Sequence, residues 1–166
     1  MGTVMLSRSY VDEVGSRWEA VRDIPVEIAG LSEGYVKLLA GNLGSQVELR
    51  ITREAAQASD GDLLFVGHAF SDIPRLLEAL ISDSPLSPEY AREIDTRIAS
   101  ASPAPWTEFI ESDGGLAGSD VIRVSESDAE ADMYLWMGAN LAPSSVYRFV
   151  ARARQDVPTL LAAVRE

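Results

Sequence analysis

Residues 149–161 read FVARARQDVPTLL, and residues 65–77 read FVGHAFSDIPRLL, so nearly the same stretch occurs twice in a chain of 166 residues. Phe-Val, an aspartate, a proline and Leu-Leu occupy the same places in both copies. Internal repeats decide an architecture, so they are sought before other motifs. The stretch predicts an internal duplication, with one unit in residues 1–83 and the other in residues 84–166.

The hydrophobic segments before the repeated stretch support this division. YVKLL at 35–39 aligns with VIRVS at 121–125, and VELRI at 47–51 aligns with MYLWM at 133–137. Both pairs are offset by the same number of residues, so the loop between the segments has the same length in the two halves. The excess of negative charge is also shared equally between the halves.

The repeated stretch itself has helical periodicity. Apolar residues recur at i, i+3, i+4 and i+7 in Val146, Phe149, Val150 and Ala153. Asp156 with Pro158 predicts that this helix ends and a new one begins, because aspartate is a good N-cap and proline is tolerated in a first turn. Asp72 and Pro74 predict the same break in the first half.

Each unit is predicted to contain a helix, three strands and a helix. The predicted elements are helices at 5–15 and 87–100, strands at 18–28 and 106–112 that begin at Trp18 and Trp106, and hairpins of 34–39 with 46–53 and of 120–125 with 132–138. Strands joined by short turns pair antiparallel. The pattern predicts an α+β fold with pseudo-two-fold symmetry, its antiparallel sheet or sheets covered by helices. Whether the two sheets are continuous or stacked is left open.

Composition limits the classes of function. A net charge of −12 disfavours binding to extended nucleic acid, because the phosphate backbone would be repelled. It permits a local arginine pocket for a small anion or a basic protein partner, and solubility alone also explains it. The chain has no cysteine, no secretory signal and no apolar run of bilayer length, so we expect a cytoplasmic protein that does not enter membranes.

The two halves differ on one face of the last strand. Glu48 and Arg50 in the first half correspond to Tyr134 and Trp136 in the second, and Arg123 lies on the same side of the preceding strand. Aromatic rings with a guanidinium suit the stacking of a planar ligand or the anchoring of a protein. The alternative is that these aromatics pack against the other unit.

The last helix adds three arginines within two turns, which indicates either an anion site or a soluble surface. The candidate ligand-binding residues are Lys37, Trp106, Arg123, Tyr134, Trp136, Arg148, Arg152 and Arg154. In this set the basic groups would bind a phosphate, and the aromatic rings would stack on a base.

No motif predicts catalysis or a metal. His68 is the only histidine, and its counterpart in the repeat is Arg152, so the repeat does not require an imidazole. The alternating acids of 125–132 lack the glycine and the terminal glutamate of a calcium loop and predict an exposed turn. A hydrolase that uses carboxylates with His68 is the least favoured of three hypotheses.

ASASPAPW at 99–106, ESDGG at 111–115 and the last 20 residues, from Tyr147 to Glu166, carry a resemblance. This pattern resembles a family of small proteins of actinobacteria and their phages, which have an Ala-Thr-Pro-Gly-Pro-Trp-like segment and a similar last helix. Ser102-Pro103-Ala104-Pro105 departs from that segment. The resemblance implies a phage or mobile-element context, in which small acidic proteins often act as counter-defence factors.

From the sequence we expect a non-enzymatic binding protein without a cofactor. The first hypothesis is the sequestration of a small anionic, nucleotide-type ligand between units or between the protomers of a homodimer. The alternative is an acidic interaction or inhibitor module that binds a basic host protein.

Overall fold

The structure is a computed structural model. It describes residues 6–22, 26–32, 35–40, 47–53, 60–82, 84–110, 121–124, 133–137 and 140–165, and within 26–60 and 136–141 the description is of the backbone. The predicted turn at 40–45 lies almost entirely outside these ranges, and the predicted loops at 113–118 and 125–132 lie wholly outside them.

Four helices and seven strands make up the described part of the chain. In order they are α1 (Arg8–Glu19), β1 (Val26–Ser32), β2 (Tyr35–Ala40), β3 (Val47–Arg53), α2 (Asp60–Ser82), α3 (Pro88–Ser100), β4 (Thr107–Phe109), β5 (Val121–Arg123), β6 (Met133–Met137), β7 (Asn140–Leu141) and α4 (Ser144–Val164). Apart from the short β7, the order helix, three strands, helix occurs twice. The fold belongs to the α+β class.

All described strands join one antiparallel sheet, in the order β1-β2-β3-β6-β5-β4, with β7 on β6. The sheet is therefore continuous, which decides the alternative that the sequence left open. The strands of the two halves meet at β3 and β6, where Arg50 lies opposite Trp136. The flanking pairs are Leu49 with Met137 and Ile51 with Leu135.

The helices cover one face of this sheet. α2 packs on β1 and β2, α4 packs on β4 and β5, and α2 and α4 pack against each other. α1 and α3 each pack on both α2 and α4. The core lies between the sheet and the α2–α4 pair, and Ile122, Met133 and Leu135 are fully buried there.

Tyr147 ties α4 to β6. Its hydroxyl donates a hydrogen bond to the carbonyl oxygen of Leu135 and accepts one from the backbone N–H of the same residue, both at 3.0 Å. The tyrosine side chain is fully buried. The buried N–H of Leu135 thus has a side-chain partner, while its carbonyl oxygen also accepts a hydrogen bond from the N–H of Ala142 at 2.8 Å.

The predicted strand at 18–28 is wrong in its first half. α1 continues through Trp18 to Glu19, and β1 begins at Val26. The physical reason is a helical stripe: Val11, Val14 and Trp18 recur at i, i+3 and i+7, and Val14 is buried. Residues 6–22 therefore behave as one amphipathic helix with its ends.

The alignment of Trp18 with Trp106 is wrong for the same reason. α1 and α3 begin alike, because Ser7 and Ser87 accept hydrogen bonds from the N–H of Tyr10 and Tyr90 as N-caps. Because the caps are Ser7 and Ser87, the two helices are offset by 80 residues. This offset aligns Trp18 with Ile98, while Trp106 lies beyond the end of α3.

The predicted helix breaks at Asp72 and Asp156 are also wrong. α2 and α4 are continuous, with Pro74 and Pro158 inside them, and neither aspartate is a cap. Both carboxylates instead accept hydrogen bonds from side chains of another helix. These contacts replace the local role that the Asp-x-Pro pattern predicted.

Candidate functional site

The three predicted arginines of α4 do not converge. Arg148 and Arg152 are exposed, and Arg152 forms an ion pair at 3.2 Å with Glu108. Arg148 donates a hydrogen bond to the hydroxyl of Ser144 at 3.3 Å. Arg154 lies on a different side of the helix and is only 8% exposed. The helix thus separates these guanidiniums rather than collecting them in one pocket.

Arg154 and Trp106 have structural partners inside the protein. The Nε of Arg154 and the Nε1 of Trp106 both donate to the carbonyl oxygen of Ser102, at 2.8 and 3.2 Å. Both side chains also contact the ring of Phe65. Burial lowers the pKa of Arg154, and the negative charge of Asp62 opposes this shift. These contacts hold the segment after α3 against α2 and α4.

The four remaining candidates lie on the sheet. The guanidinium of Arg123 stacks over the ring of Phe109, with 5.2 Å from Cζ to the ring centroid, and Tyr134 is half-buried. Trp136 and Lys37 both pair through the backbone with Arg50 of β3, one from each side. The strand register therefore brings Lys37 and Trp136 to one row across three neighbouring strands.

Two side-chain clusters that sequence reasoning missed join the helices. In the first, Asp72 accepts hydrogen bonds from the hydroxyl of Tyr90 at 2.5 Å and from Arg97 at 2.9 Å. In the second, Asp156 accepts from Tyr10 at 2.6 Å and from Arg17 at 2.9 Å. We call them the Asp72 cluster and the Asp156 cluster.

Each cluster repeats the same arrangement, with Tyr and Arg seven positions apart on one helix and Asp on another. Burial, reinforced by the aspartates, raises the pKa of Tyr10 and of Tyr90 above the usual range. The tyrosines therefore stay protonated and continue to donate. The sequence carries one sign of the clusters, which is the seven-residue spacing of Tyr and Arg in both α1 and α3. This spacing alone does not show that the partners are aspartates on other helices.

A groove runs between α1 and α2, with a cavity volume of about 640 Å³. It is lined by Val11, Asp12, Gly15, Ser16, Trp18, Glu19, Pro74, Leu77 and Ile81. Its floor and one wall are apolar, and the side chain of Ile81 is 74% exposed. The exposed Ile81 thus adds to the apolar wall that Pro74 and Leu77 form on α2.

The groove is open beside Gly15 on the α1 side. A Cβ atom at this position would meet no other atom within 4 Å. Trp18, one turn further on, packs its ring against Phe149 at a centroid distance of 5.8 Å and so anchors the floor to the core. This contact packs the α1 side of the groove against α4.

The charged residues that line the groove are both acidic. Asp12 and Glu19 are exposed on α1, and no lysine, arginine or histidine is among the nine described lining residues. Glu19 accepts a hydrogen bond from Arg22 at 2.8 Å, an exposed pair that water screens. The rim therefore favours a cationic ligand over an anionic one.

The described part of the chain was also searched for metal-binding groups and for helices that could span a membrane. Its His, Asp and Glu residues form no group of three that could hold a metal ion. None of its helices combines the length and apolarity needed to cross a bilayer. Comparison of the chain with models of known protein families, with curated proteins and with solved structures gave no match.

We expect His68 to make the folded protein less stable in mild acid. Burial and the positive charge of Arg97 lower its pKa, and Asp72 and Glu93 oppose this shift. The unfolded chain therefore takes up a proton at about pH 6.5, before the folded one, and the free energy of unfolding falls as the pH falls. Urea midpoints between about pH 7.5 and 5.5 should decline more steeply for the wild type than for His68→Gln. Parallel declines would contradict this assignment.

Proposed function

We propose that the chain is a tandem duplication of one α-β-β-β-α unit, with units 1–83 and 84–166 related by a pseudo-two-fold axis. The symmetric strand order and the register at the centre of the sheet support this proposal. Exchanging the aligned positions of β3 and β6 converts the pair Leu49–Met137 into the pair Ile51–Leu135, and Arg50–Trp136 into itself. The axis would pass through this last pair.

The Asp72 and Asp156 clusters support the same proposal. Tyr10 and Arg17 of the first unit bind Asp156 of the second, while Tyr90 and Arg97 of the second unit bind Asp72 of the first. The first helix of each unit thus binds the last helix of the other unit. Such an exchange would make the two units one compact body.

We infer that this body is a non-enzymatic protein-interaction module that binds a basic partner through the α1–α2 groove. The apolar floor with an acidic rim carries this inference. Burial of the exposed Ile81 and its apolar neighbours would supply affinity, and Asp12 and Glu19 would select cationic flanks. The net charge of −12 would attract such a partner from a distance.

The geometry favours this function over sequestration of an anionic ligand. An acidic rim would repel a phosphate, and Arg152 and Arg154 are engaged with protein groups elsewhere. Sequestration and the phage counter-defence context remain predictions from the sequence. The groove also disfavours a symmetric homodimer through this face, because two such acidic rims would meet.

The function is tested with synthetic peptides. A fluorescent amphipathic helix of about 15 residues, built from Leu and Lys, is titrated with the protein and compared with a Leu/Glu peptide of the same pattern and a Lys/Ser peptide. Fluorescence anisotropy should report binding of the Leu/Lys peptide that persists at about 0.15 M salt. Binding of the Lys/Ser peptide should disappear at that salt concentration, and the Leu/Glu peptide should not bind at all.

Two outcomes would overturn the function. If the Leu/Lys peptide does not bind even at low salt, the hypothesis of a basic partner is wrong. Equal binding of the Leu/Glu peptide would show that the surface does not discriminate by charge.

A further inference from the structure

The second half contains a place that corresponds to the groove, and an ion pair bridges it. The offset of α1 and α3 aligns Gly15 with Asp95, and the repeated FV…LL stretch aligns Ile81 with Arg165. Asp95 and Arg165 form an ion pair that joins α3 to α4 through two hydrogen bonds. The corresponding pair between α1 and α2 is thus a glycine and an exposed isoleucine.

The charge beside the two places also differs. Asp12 aligns with Arg92, and Glu19 aligns with Ala99. The smaller cavity of about 400 Å³ beside α3 and α4 is lined by Arg92 and Arg165 and by no acidic residue among those described. Four aligned differences therefore distinguish the groove: they open its centre, make one wall apolar and make its rim acidic.

We propose that the α1–α2 groove is a dedicated site for one amphipathic helix with basic flanks, and that the Asp95–Arg165 pair bridges the corresponding, smaller place between α3 and α4. This inference rests on the proposed function and names the form of its partner. Two antiparallel or crossed helices with a concave apolar seam accept a third helix by ridges-into-grooves packing. Val11, Gly15 and Trp18 span two turns of α1, so about 10 Å of partner helix would fit.

A basic partner is favoured over a second copy of the chain. Two copies repel each other through a charge of −12 on each. A partner with its own free cations matches the rim better.

The test copies the Asp95–Arg165 pair into the groove, and the resulting double variant is called the closed-groove variant. Gly15→Asp with Ile81→Arg leaves the net charge unchanged, so any non-specific attraction of the Leu/Lys peptide is retained. We expect the affinity for this peptide to fall at least about tenfold, measured by anisotropy. The matched control is Ser84→Asp with Ala162→Arg, a charge-neutral change at two exposed positions that do not line the groove. It should leave the affinity within about twofold.

A second variant guards against a failure to fold. Ile81→Ser alters one side chain that is already 74% exposed, so the fold should survive, as circular dichroism can verify. We expect it to weaken Leu/Lys binding about fivefold without a change of charge.

Each result has a defined meaning. Equal binding by the wild type, the closed-groove variant and Ile81→Ser overturns the groove as the site but leaves an acidic interaction surface. No Leu/Lys binding by the wild type overturns the proposed function itself. Concentration-dependent self-association of the wild type that the closed-groove variant abolishes would make a second copy the occupant and overturn the basic partner.

Discussion

Replacing Asp72 with asparagine is expected to lower the free energy of unfolding by about 3–5 kcal/mol, the usual cost of breaking a buried ion pair from one side. Asp72 is 2% exposed and binds both the Nε and the Nη2 of Arg97, whose side chain is only 12% exposed. Asparagine would leave that guanidinium charged and buried, and it would turn an NH2 group towards its N–H donors. Urea denaturation followed by circular dichroism measures the loss.

Asp156→Asn is the internal control for this prediction. The side chain of Arg17 is 25% exposed, about twice the exposure of Arg97. Water can therefore compensate part of the lost pairing, and we expect a smaller cost of about 1–3 kcal/mol. Equal costs for both variants would contradict the role assigned to burial. Asp72→Asn combined with Arg97→Gln should regain part of the stability, because it removes the orphaned charge.

Local periodicity was sufficient to predict most elements. α3 follows the predicted range 87–100 closely, because Ser87 and Pro88 form a cap and a first turn that residue types alone identify. β2 with β3 pairs as predicted, since alternating apolar residues flank a short connection. The continuous sheet could not be predicted, because the pairing of β3 with β6 depends on contacts 80 or more residues apart.

The roles of the two aspartates could not be predicted from their neighbours. Asp-x-Pro fits a helix start, and nothing near Asp156 indicates that its partners are Tyr10 and Arg17 at the other end of the chain. The seven-residue spacing of Tyr and Arg becomes informative only when α1 and α3 are aligned by their caps. Long-range side-chain pairing overrides the local preference here.

The candidate site was only partly within reach of the sequence. Arg154 follows Val146 and Val150 at i+8 and i+4, so the helical stripe already indicates a buried position. Its grouping with Arg148 and Arg152 overlooked that periodicity. The groove joins two helices far apart in sequence, and the open space beside Gly15 is an environment that no local pattern reveals.

Gly61→Ala is expected to lower the free energy of unfolding by about 3 kcal/mol, the upper part of the range for overpacking a closed site. A Cβ atom at Gly61 would lie 2.0 Å from the backbone oxygen of Ser100. Two neighbouring hydrogen bonds restrict movement of the segment after α3: the carboxylate of Asp62 accepts from the N–H and the hydroxyl of Ser102 at 2.5 and 2.7 Å. Either the start of α2 or the segment after α3 must move.

Gly15→Ala separates this clash from helix propensity. Both glycines are helical, so alanine is intrinsically favoured at both positions by about 0.5–1 kcal/mol. Because a Cβ at Gly15 meets nothing within 4 Å, this variant should become more stable, while Gly61→Ala becomes less stable. Thermal and urea denaturation of the two variants beside the wild type measure both changes. A gain of stability in Gly61→Ala would mean that the end of α3 does not lie on α2, and a loss in Gly15→Ala would mean that the α1–α2 groove is filled.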